Sequence, residues 1–142
     1  MSAEENRTLV AGWLRAAEQA DFIQMLIAES APHVVVHSPF GLRGGQNLAQ
    51  EMHVQLARAF PDMTLTLDGE VYDQDRVALQ FTLDGTNTGP ILGLPPTGRG
   101  VTMPIALVCR IEENRIAEMW FYANLMAPII QQRLSEMGLL QL

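Results

Sequence analysis

Apolar residues alternate with other residues along two stretches in the C-terminal third of the chain. In the first stretch, residues 101–111, the alternating apolar positions are Val101, Met103, Ile105, Leu107, Cys109 and Ile111. This period of two predicts a long strand. A short turn leads to a second predicted strand, one face of which carries Ile116, Glu118, Trp120, Tyr122 and Asn124. The remaining positions are also mostly apolar or aromatic, so we expect helices to cover one face of the sheet and a second copy of the chain to cover the other.

Earlier along the chain the apolar spacing changes to three and four residues, which is typical of amphipathic helices. Ser2 begins a capping box for the first helix. Asp21 is placed to cap a second helix that ends near Ala28. A third helix is predicted over residues 46–60, and a closing helix over residues 125–137.

Three further strands are predicted over residues 33–38, 63–72 and 76–88. Gly69 interrupts the second of these, either as a bulge or as a hairpin turn. The bulge is favoured because residues 73–75 make a better turn. The resulting order is helix, helix, strand, helix, four strands and a helix. It predicts an α+β fold, with helices segregated from a mostly antiparallel sheet.

Composition narrows the class of partner. The chain has 142 residues, 48% hydrophobic and 18% charged, which predicts one globular domain over residues 1–142. Its net charge of -7 disfavours nucleic acid and an anionic membrane surface, both of which select clustered Lys and Arg. The N-terminal residues lack the basic and then apolar order of a signal peptide, and Cys109 is the single cysteine. We therefore expect a cytoplasmic protein.

Several short motifs follow one another in a characteristic order. They are Phe60-Pro61-Asp62, Gly85-Thr86-Asn87-Thr88-Gly89, Pro95-Pro96-Thr97-Gly98-Arg99, and Arg110-Ile111 followed by Ile116, Glu118 and Trp120. With these motifs the chain resembles, over almost its whole length, the SnoaL-like polyketide cyclases, relatives of nuclear transport factor 2 and ketosteroid isomerase. The resemblance implies helices packed on a strongly curved sheet, a cystatin-like roll that forms a cone with an internal pocket. It also fits a homodimer joined through the outer face of the sheet.

SnoaL-like cyclases close a polyketide ring by an intramolecular aldol step without a metal or an organic cofactor. The resemblance thus implies a cofactor-free enzyme of the cyclase or isomerase type that binds a small apolar or aromatic carbonyl compound. In relatives an aspartate shortly after the tryptophan is the general acid and base, and Asn124 stands there in this chain. Asn87 stands where many relatives carry histidine. Because an amide cannot exchange a proton near neutral pH, the alternative is a ligand-binding or accessory homodimer that has lost its acid/base group.

The remaining candidate base is His37, which ends a predicted strand and has an intrinsic pKa of about 6.5. A histidine that only makes a hydrogen bond at a strand end is an equally good interpretation. Asn124, Asn87 and Tyr122 are the predicted hydrogen-bond donors to an enolate oxygen. His53 lies one position off the apolar stripe of its helix, where we expect solvent exposure.

The predicted ligand site is completed by residues of the two C-terminal strands. Glu118 is either a pocket carboxylate with a raised pKa or the structural partner of Arg99 or Arg110. Trp120 is an aromatic wall for a flat ligand, and Met103 is part of an adaptable lining, although gap-filling in the core explains most methionines. The histidines show no metal-ligand spacing, so we expect no metal site.

Overall fold

The helices and strands were assigned from a computed structural model, which describes residues 2–139. In chain order they are α1 (Ala3–Ala16), α2 (Phe22–Ala28), β1 (Ser30–His37), β2 (Arg43–Gly44), α3 (Gln46–Ala59), β3 (Thr64–Tyr72), β4 (Arg76–Thr86), β5 (Gly100–Glu112), β6 (Arg115–Ala123) and α4 (Ala127–Glu136). A short 3₁₀ turn, Glu18–Ala20, leads from α1 to α2. Each predicted helix and strand is present, and the short β2 is an addition to them.

The strands form one mixed sheet in the order β2-β1-β6-β5-β4-β3. β1 runs parallel to β6, and the other neighbouring strands are antiparallel. The three hairpins that join β3 to β6 follow one another along the chain. β1 is inserted beside β6, its distant neighbour in sequence. The α+β fold with a mostly antiparallel sheet is therefore confirmed.

One face of the sheet, here called the inner face, carries the apolar rows of the central strands. Leu79 of β4 lies opposite Leu107 of β5, which lies opposite Phe121 of β6. All three side chains are buried, and burial of each contributes about 1.5–3 kcal/mol. Helices pack against this face, as shown by Phe22 of α2, whose ring stacks on Phe81 at 5.5 Å between centroids. The opposite, outer face of the sheet carries the alternate residues.

The N-terminal ends of α1 and α2 are capped by the two residues that the sequence indicated. The Ser2 hydroxyl accepts from the Glu5 amide while the Glu5 carboxylate accepts from the Ser2 amide, which completes the capping box of α1. Asp21 accepts from the Gln24 amide at 3.1 Å and so caps α2. Both caps satisfy amides that have no partner inside their helix.

The bulge at Gly69 is also confirmed. β3 pairs Leu67 with Phe81 and then Gly69 with Gln80, so the register slips by one residue between them. Because a slip of one residue exchanges the two faces of a strand, Leu65 and Leu67 face the core before the bulge, and Val71 is exposed beyond it. The bulge therefore lets β3 stay paired with β4 along its whole length, although the set of residues that faces the core changes at Gly69.

The loop that contains Gly89 touches the C-terminal end of α3. The Gly89 amide donates to the Ala59 carbonyl, and a Cβ atom on Gly89 would lie 1.9 Å from the carbonyl oxygen of Arg58. Only glycine allows the loop to approach the helix backbone this closely.

We therefore expect Gly89→Ala to destabilise the protein by about 1–3 kcal/mol or more, because backbone atoms cannot move aside as a flexible side chain can. Gly100→Ala is the matched control, since a Cβ atom there meets nothing within 4 Å. Denaturant unfolding of both variants checks the prediction. Equal stability of the two variants would contradict the contact between this loop and α3.

Candidate functional site

The outer face of the sheet carries a histidine–carboxylate pair. His37 ends β1 and lies opposite Trp120 of β6, while Val35 lies opposite Glu118. Nε2 of His37 lies 2.6 Å from Oε2 of Glu118, and both side chains are about a quarter exposed, at 25% and 22%. The parallel pairing of β1 with β6 thus brings together two residues that are 81 positions apart in the sequence.

Trp120 packs against the histidine of this pair. The His37 and Trp120 rings stack with centroids 5.0 Å apart and an angle of 3° between their planes. Arg76 reaches the same indole from β4, with its guanidinium carbon 4.8 Å from the ring centroid. Stacking on Trp120 fixes the plane of the His37 ring, and the hydrogen bond to Glu118 fixes the direction of its Nε2 atom.

Glu118 is held in turn by a cation. Arg110, opposite Glu118 on β5, donates from Nε to Oε1 at 3.3 Å and also pairs with Glu112 at 2.6 Å. The hydrogen bond from His37, followed by that from Arg110, lowers the pKa of Glu118 below its usual value despite some desolvation. Of the two arginines considered as partners, Arg110 is the one in contact, because Arg99 donates to Ser135.

An ionised Glu118 fixes the protonation pattern of His37. A carboxylate can only accept hydrogen bonds, so Nε2 of His37 carries a proton and Nδ1 is the unprotonated nitrogen of the neutral ring. A carboxylate that orients an imidazole in one tautomer is the arrangement that prepares a histidine for general base catalysis. The pair can therefore accept a proton at Nδ1 and stabilise the resulting imidazolium.

Tyr122 extends the outer-face surface beyond Trp120. Its side chain is 55% exposed and lies beside an open groove of about 380 Å³. The groove is also lined by Pro104 and Ala106 of β5 and by Gln80 of β4. Since alternate side chains of a strand are about 7 Å apart, His37, Trp120 and the groove lie along one continuous strip.

Four of the predicted site residues lie on this strip, and the other three, Asn124, Met103 and Asn87, are placed differently. Asn124 follows the end of β6, is exposed, and accepts the Met126 amide at 3.1 Å through Oδ1, which leads the chain into α4. Met103 is buried on the inner face, so the sheet itself separates it from Trp120. His37, Glu118, Trp120 and Tyr122 share the outer face, and Met103 does not.

Asn87 is buried in the loop that joins β4 to β5. Its Nδ2 donates to the Gly89 carbonyl at 2.9 Å, and its Oδ1 accepts from the Thr97 amide at 2.8 Å. The backbone of Asn87 also exchanges hydrogen bonds with Gly98 and Arg99. These contacts bind the motif at residues 85–89 to the motif at residues 95–99. They also occupy both the oxygen and the nitrogen of the Asn87 side-chain amide.

A second histidine–carboxylate pair lies on the side of the sheet that the helices cover. His53 of α3 contacts Asp21 at the start of α2, with Nε2 and Oδ2 2.8 Å apart, and the His53 side chain is only 14% exposed. The expectation of solvent exposure for His53 is therefore wrong. The sequence offered no signal for this pair except the capping role of Asp21, because the contact depends on how α2 and α3 pack.

Other features limit the chemistry that the described residues can supply. Residues 2–139 contain no cluster of three or more His, Cys, Asp or Glu side chains suited to a metal ion. Within the same residues, no helix is both long and apolar enough to cross a membrane. Cys109 is buried, and burial raises the pKa of its thiol to about 12, so a thiolate nucleophile is not available near neutral pH.

The lowered pKa of Glu118 predicts a dependence of stability on pH. A depressed carboxyl pKa contributes stability above the pKa of the unfolded chain, and that contribution is lost as pH falls through the folded pKa. Glu118→Gln should therefore lower the melting temperature at pH 7, and the difference from the parent should shrink as the pH falls below about 4.5.

Glu4→Gln serves as the control, because Glu4 makes an exposed ion pair of 3.7 Å with Arg7. Thermal unfolding followed by circular dichroism between pH 3 and pH 7 measures both variants. A deficit of Glu118→Gln that stays constant with pH would show that the carboxylate charge does not stabilise the folded protein.

The family comparisons agree with the motifs. The family model described as "SnoaL-like polyketide cyclase" matches residues 8–132. No protein of curated function matches the chain. Solved structures, by contrast, offer many similar folds.

Three of these solved structures show how similar in sequence and fold the neighbours are. IdmH from Streptomyces antibioticus, a proposed polyketide cyclase, is 27% identical with a TM-score of 0.70, over 89% of this chain and 96% of IdmH. AclR from Streptomyces galilaeus, a proposed hydroxylase, is 26% identical with a TM-score of 0.69, over 98% of this chain and 84% of AclR. A proposed SnoaL-like polyketide cyclase from Jannaschia sp. CCS1 shares the fold at 20% identity, with a TM-score of 0.73, over 89% of this chain and 92% of that protein.

The family match spans most of the chain, and the fold superposes on these structures over most of its length. By motif, fold and family model, the chain belongs to the SnoaL-like polyketide cyclase family.

Proposed function

We propose that the protein is a cofactor-independent cyclase or isomerase that transfers a proton next to a carbonyl group of a small apolar or aromatic compound. The observation that carries the proposal is the 2.6 Å contact between His37 and Glu118, with Glu118 ionised and held by Arg110. It supplies a base in a chain that has Asn124 where relatives are expected to carry a carboxylate.

In the proposed reaction Nδ1 of His37 removes a proton from the carbon next to a carbonyl. The resulting enolate attacks a second carbonyl carbon of the same molecule, and the imidazolium returns the proton to the new alkoxide. The Tyr122 hydroxyl, on the next outer-face position of β6, is proposed to donate to the enolate oxygen, and the Nδ2 group of Asn124, further along the chain, to a more distant carbonyl of the substrate. The exposed edge of the Trp120 indole is proposed to contact the substrate, because His37 and Arg76 pack over its ring.

A second copy of the chain would give this site the wall that the outer face lacks. Trp120 is partly exposed, Tyr122 is more than half exposed, and the apolar Val108 and Ala106 lie between them and β4. We therefore propose a homodimer joined through the outer face, in which the partner covers the groove beside Tyr122. Closure by a partner would also exclude water from the proton-transfer step.

A non-catalytic ligand-binding protein is the second candidate function. The observation that favours it is the engagement of both asparagines in local structure, Asn87 within its loop and Asn124 at the start of α4. In that case the outer-face strip binds a carbonyl compound, and His37 only donates or accepts a hydrogen bond.

Proton exchange distinguishes the two functions. The protein should accelerate the exchange of the acidic proton of 2-acetyl-1-tetralone with D₂O, measured by proton NMR. His37→Ala should reduce this rate about 100-fold or more, the usual contribution of a positioned base. His33→Ala is the matched control because His33 is exposed on the same strand, and it should leave the rate unchanged.

Glu118→Gln should retain part of the activity and change its pH profile, since the tautomer of His37 is then no longer fixed. Equal rates for His37→Ala and the parent protein would refute the catalytic assignment. Binding of the probe without accelerated exchange would support the ligand-binding alternative.

The dimer has its own test. Sedimentation equilibrium should give the mass of two chains, and Tyr122→Glu should shift the population to single chains, because it places a charge in a buried apolar contact. Val71→Glu is the control, since Val71 is exposed at the far edge of the sheet on β3. A parent protein that sediments as a single chain at tens of micromolar would contradict the proposed dimer.

A further inference from the structure

A cavity of about 190 Å³ lies on the helical side of the sheet, away from the outer-face strip. Its apolar lining residues are Met63 and Leu65 near the start of β3, together with the fully buried Phe60 after α3. Ala57 of α3 forms part of the wall. The volume is below the roughly 300 Å³ at which drug-sized pockets begin, so the cavity suits a compact molecule.

The charged side chain that lines this cavity is Asp21, and no Lys or Arg is among its described lining residues. Burial alone would raise the pKa of Asp21, but hydrogen bonds from His53 and from the Gln24 amide outweigh it and hold the pKa below its usual value. Asp21 is therefore a carboxylate at neutral pH. Each of its oxygens has accepted one hydrogen bond and retains a further lone pair.

The rim of the cavity is formed by residues in an unusual backbone conformation. Gln19 and Ala20 precede Asp21 and both have positive φ angles, 54° and 56°. Each such non-glycine residue costs about 1–2 kcal/mol, and strain of this kind clusters at functional sites. This turn leads directly into Asp21, which also lines the cavity.

We propose that this cavity binds a small organic ammonium ion, with the ammonium group on the Asp21 carboxylate and a compact apolar body against Met63 and Ala57. A partly buried carboxylate makes a strong hydrogen bond to a cationic donor. The net charge of -7 also favours the approach of a cation. His53, fixed to the other side of Asp21, keeps the carboxylate oriented towards the bound group.

Benzylamine is a suitable probe because it combines an ammonium ion with one aromatic ring. Titration at pH 7, followed by ¹H–¹⁵N NMR of the whole protein, should give a Kd on the order of millimolar, as expected for so few atoms. The shifted amides should lie around residues 19–21, 57 and 60–65. Benzyl alcohol, which has the same shape without the charge, should bind at least about tenfold more weakly.

Two variants test the charge of Asp21 and the volume of the cavity separately. Asp21→Asn should weaken benzylamine at least about tenfold, whereas Asp75→Asn, in an exposed turn, should not. Ala57→Leu should abolish binding by filling the cavity without touching the carboxylate, and Ala28→Leu at the exposed end of α2 is its control. If Asp21→Asn fails to fold, Ala57→Leu still decides the question.

Equal binding of benzylamine and benzyl alcohol would overturn the proposal, as would unchanged binding to Ala57→Leu or no shift at 10 mM benzylamine. Because His37 lies on the other face of the sheet, His37→Ala should bind benzylamine as the parent does. Loss of proton exchange in that variant would leave this result unaffected, so the two proposals fail independently.

Discussion

Six apolar side chains on one face of β5 constrain the arrangement of the other elements. Val101, Met103, Ile105, Leu107, Cys109 and Ile111 are all buried. Each needs cover from the helices, and the flanking strands must supply apolar partners in register, which β4 and β6 do. Since this demand occupies the inner face, the ionisable groups of the central strands are left to the outer face.

The placement of His37 follows from this constraint together with the parallel pairing of β1 with β6. β1 buries Val34 and Val36 on the inner face, so His37 must point to the outer face beside Trp120 and Glu118. The hydrogen bond from His37, and then the one from Arg110 opposite Glu118, hold the pKa of Glu118 below its usual value and keep the carboxylate ionised. The same alternation that buries the core thus assembles the candidate base.

Local patterns account for most of what the sequence predicted. Alternation and turn chemistry identified the strands and the bulge at Gly69, and the partnership of Glu118 with Arg110 was foreseeable because both belong to one hairpin. The contact of Glu118 with His37 was not, since it depends on a pairing between distant segments. His53 was misplaced because its burial depends on the packing of α2 against α3, which a single helix pattern does not reveal.

The family motifs have largely structural explanations in this chain. Hydrogen bonds among Asn87, Thr97 and Gly89 join the two ends of the loop between β4 and β5. The Gly89 amide also binds this loop to α3. The motif therefore preserves the fold whether or not the reaction is retained. The described residues also hold two histidine–carboxylate pairs, one on each side of the sheet.

The central claim is that Glu118 holds His37 with a proton on Nε2 and leaves Nδ1 free. Long-range ¹H–¹⁵N NMR of the histidine rings at pH 8 reports this directly, because the two ring nitrogens have distinct shifts when only one is protonated. The account predicts that His37 is in the Nε2–H form in the parent protein and shows a mixture of forms in Glu118→Gln. An Nδ1–H form of His37 in the parent protein would contradict it.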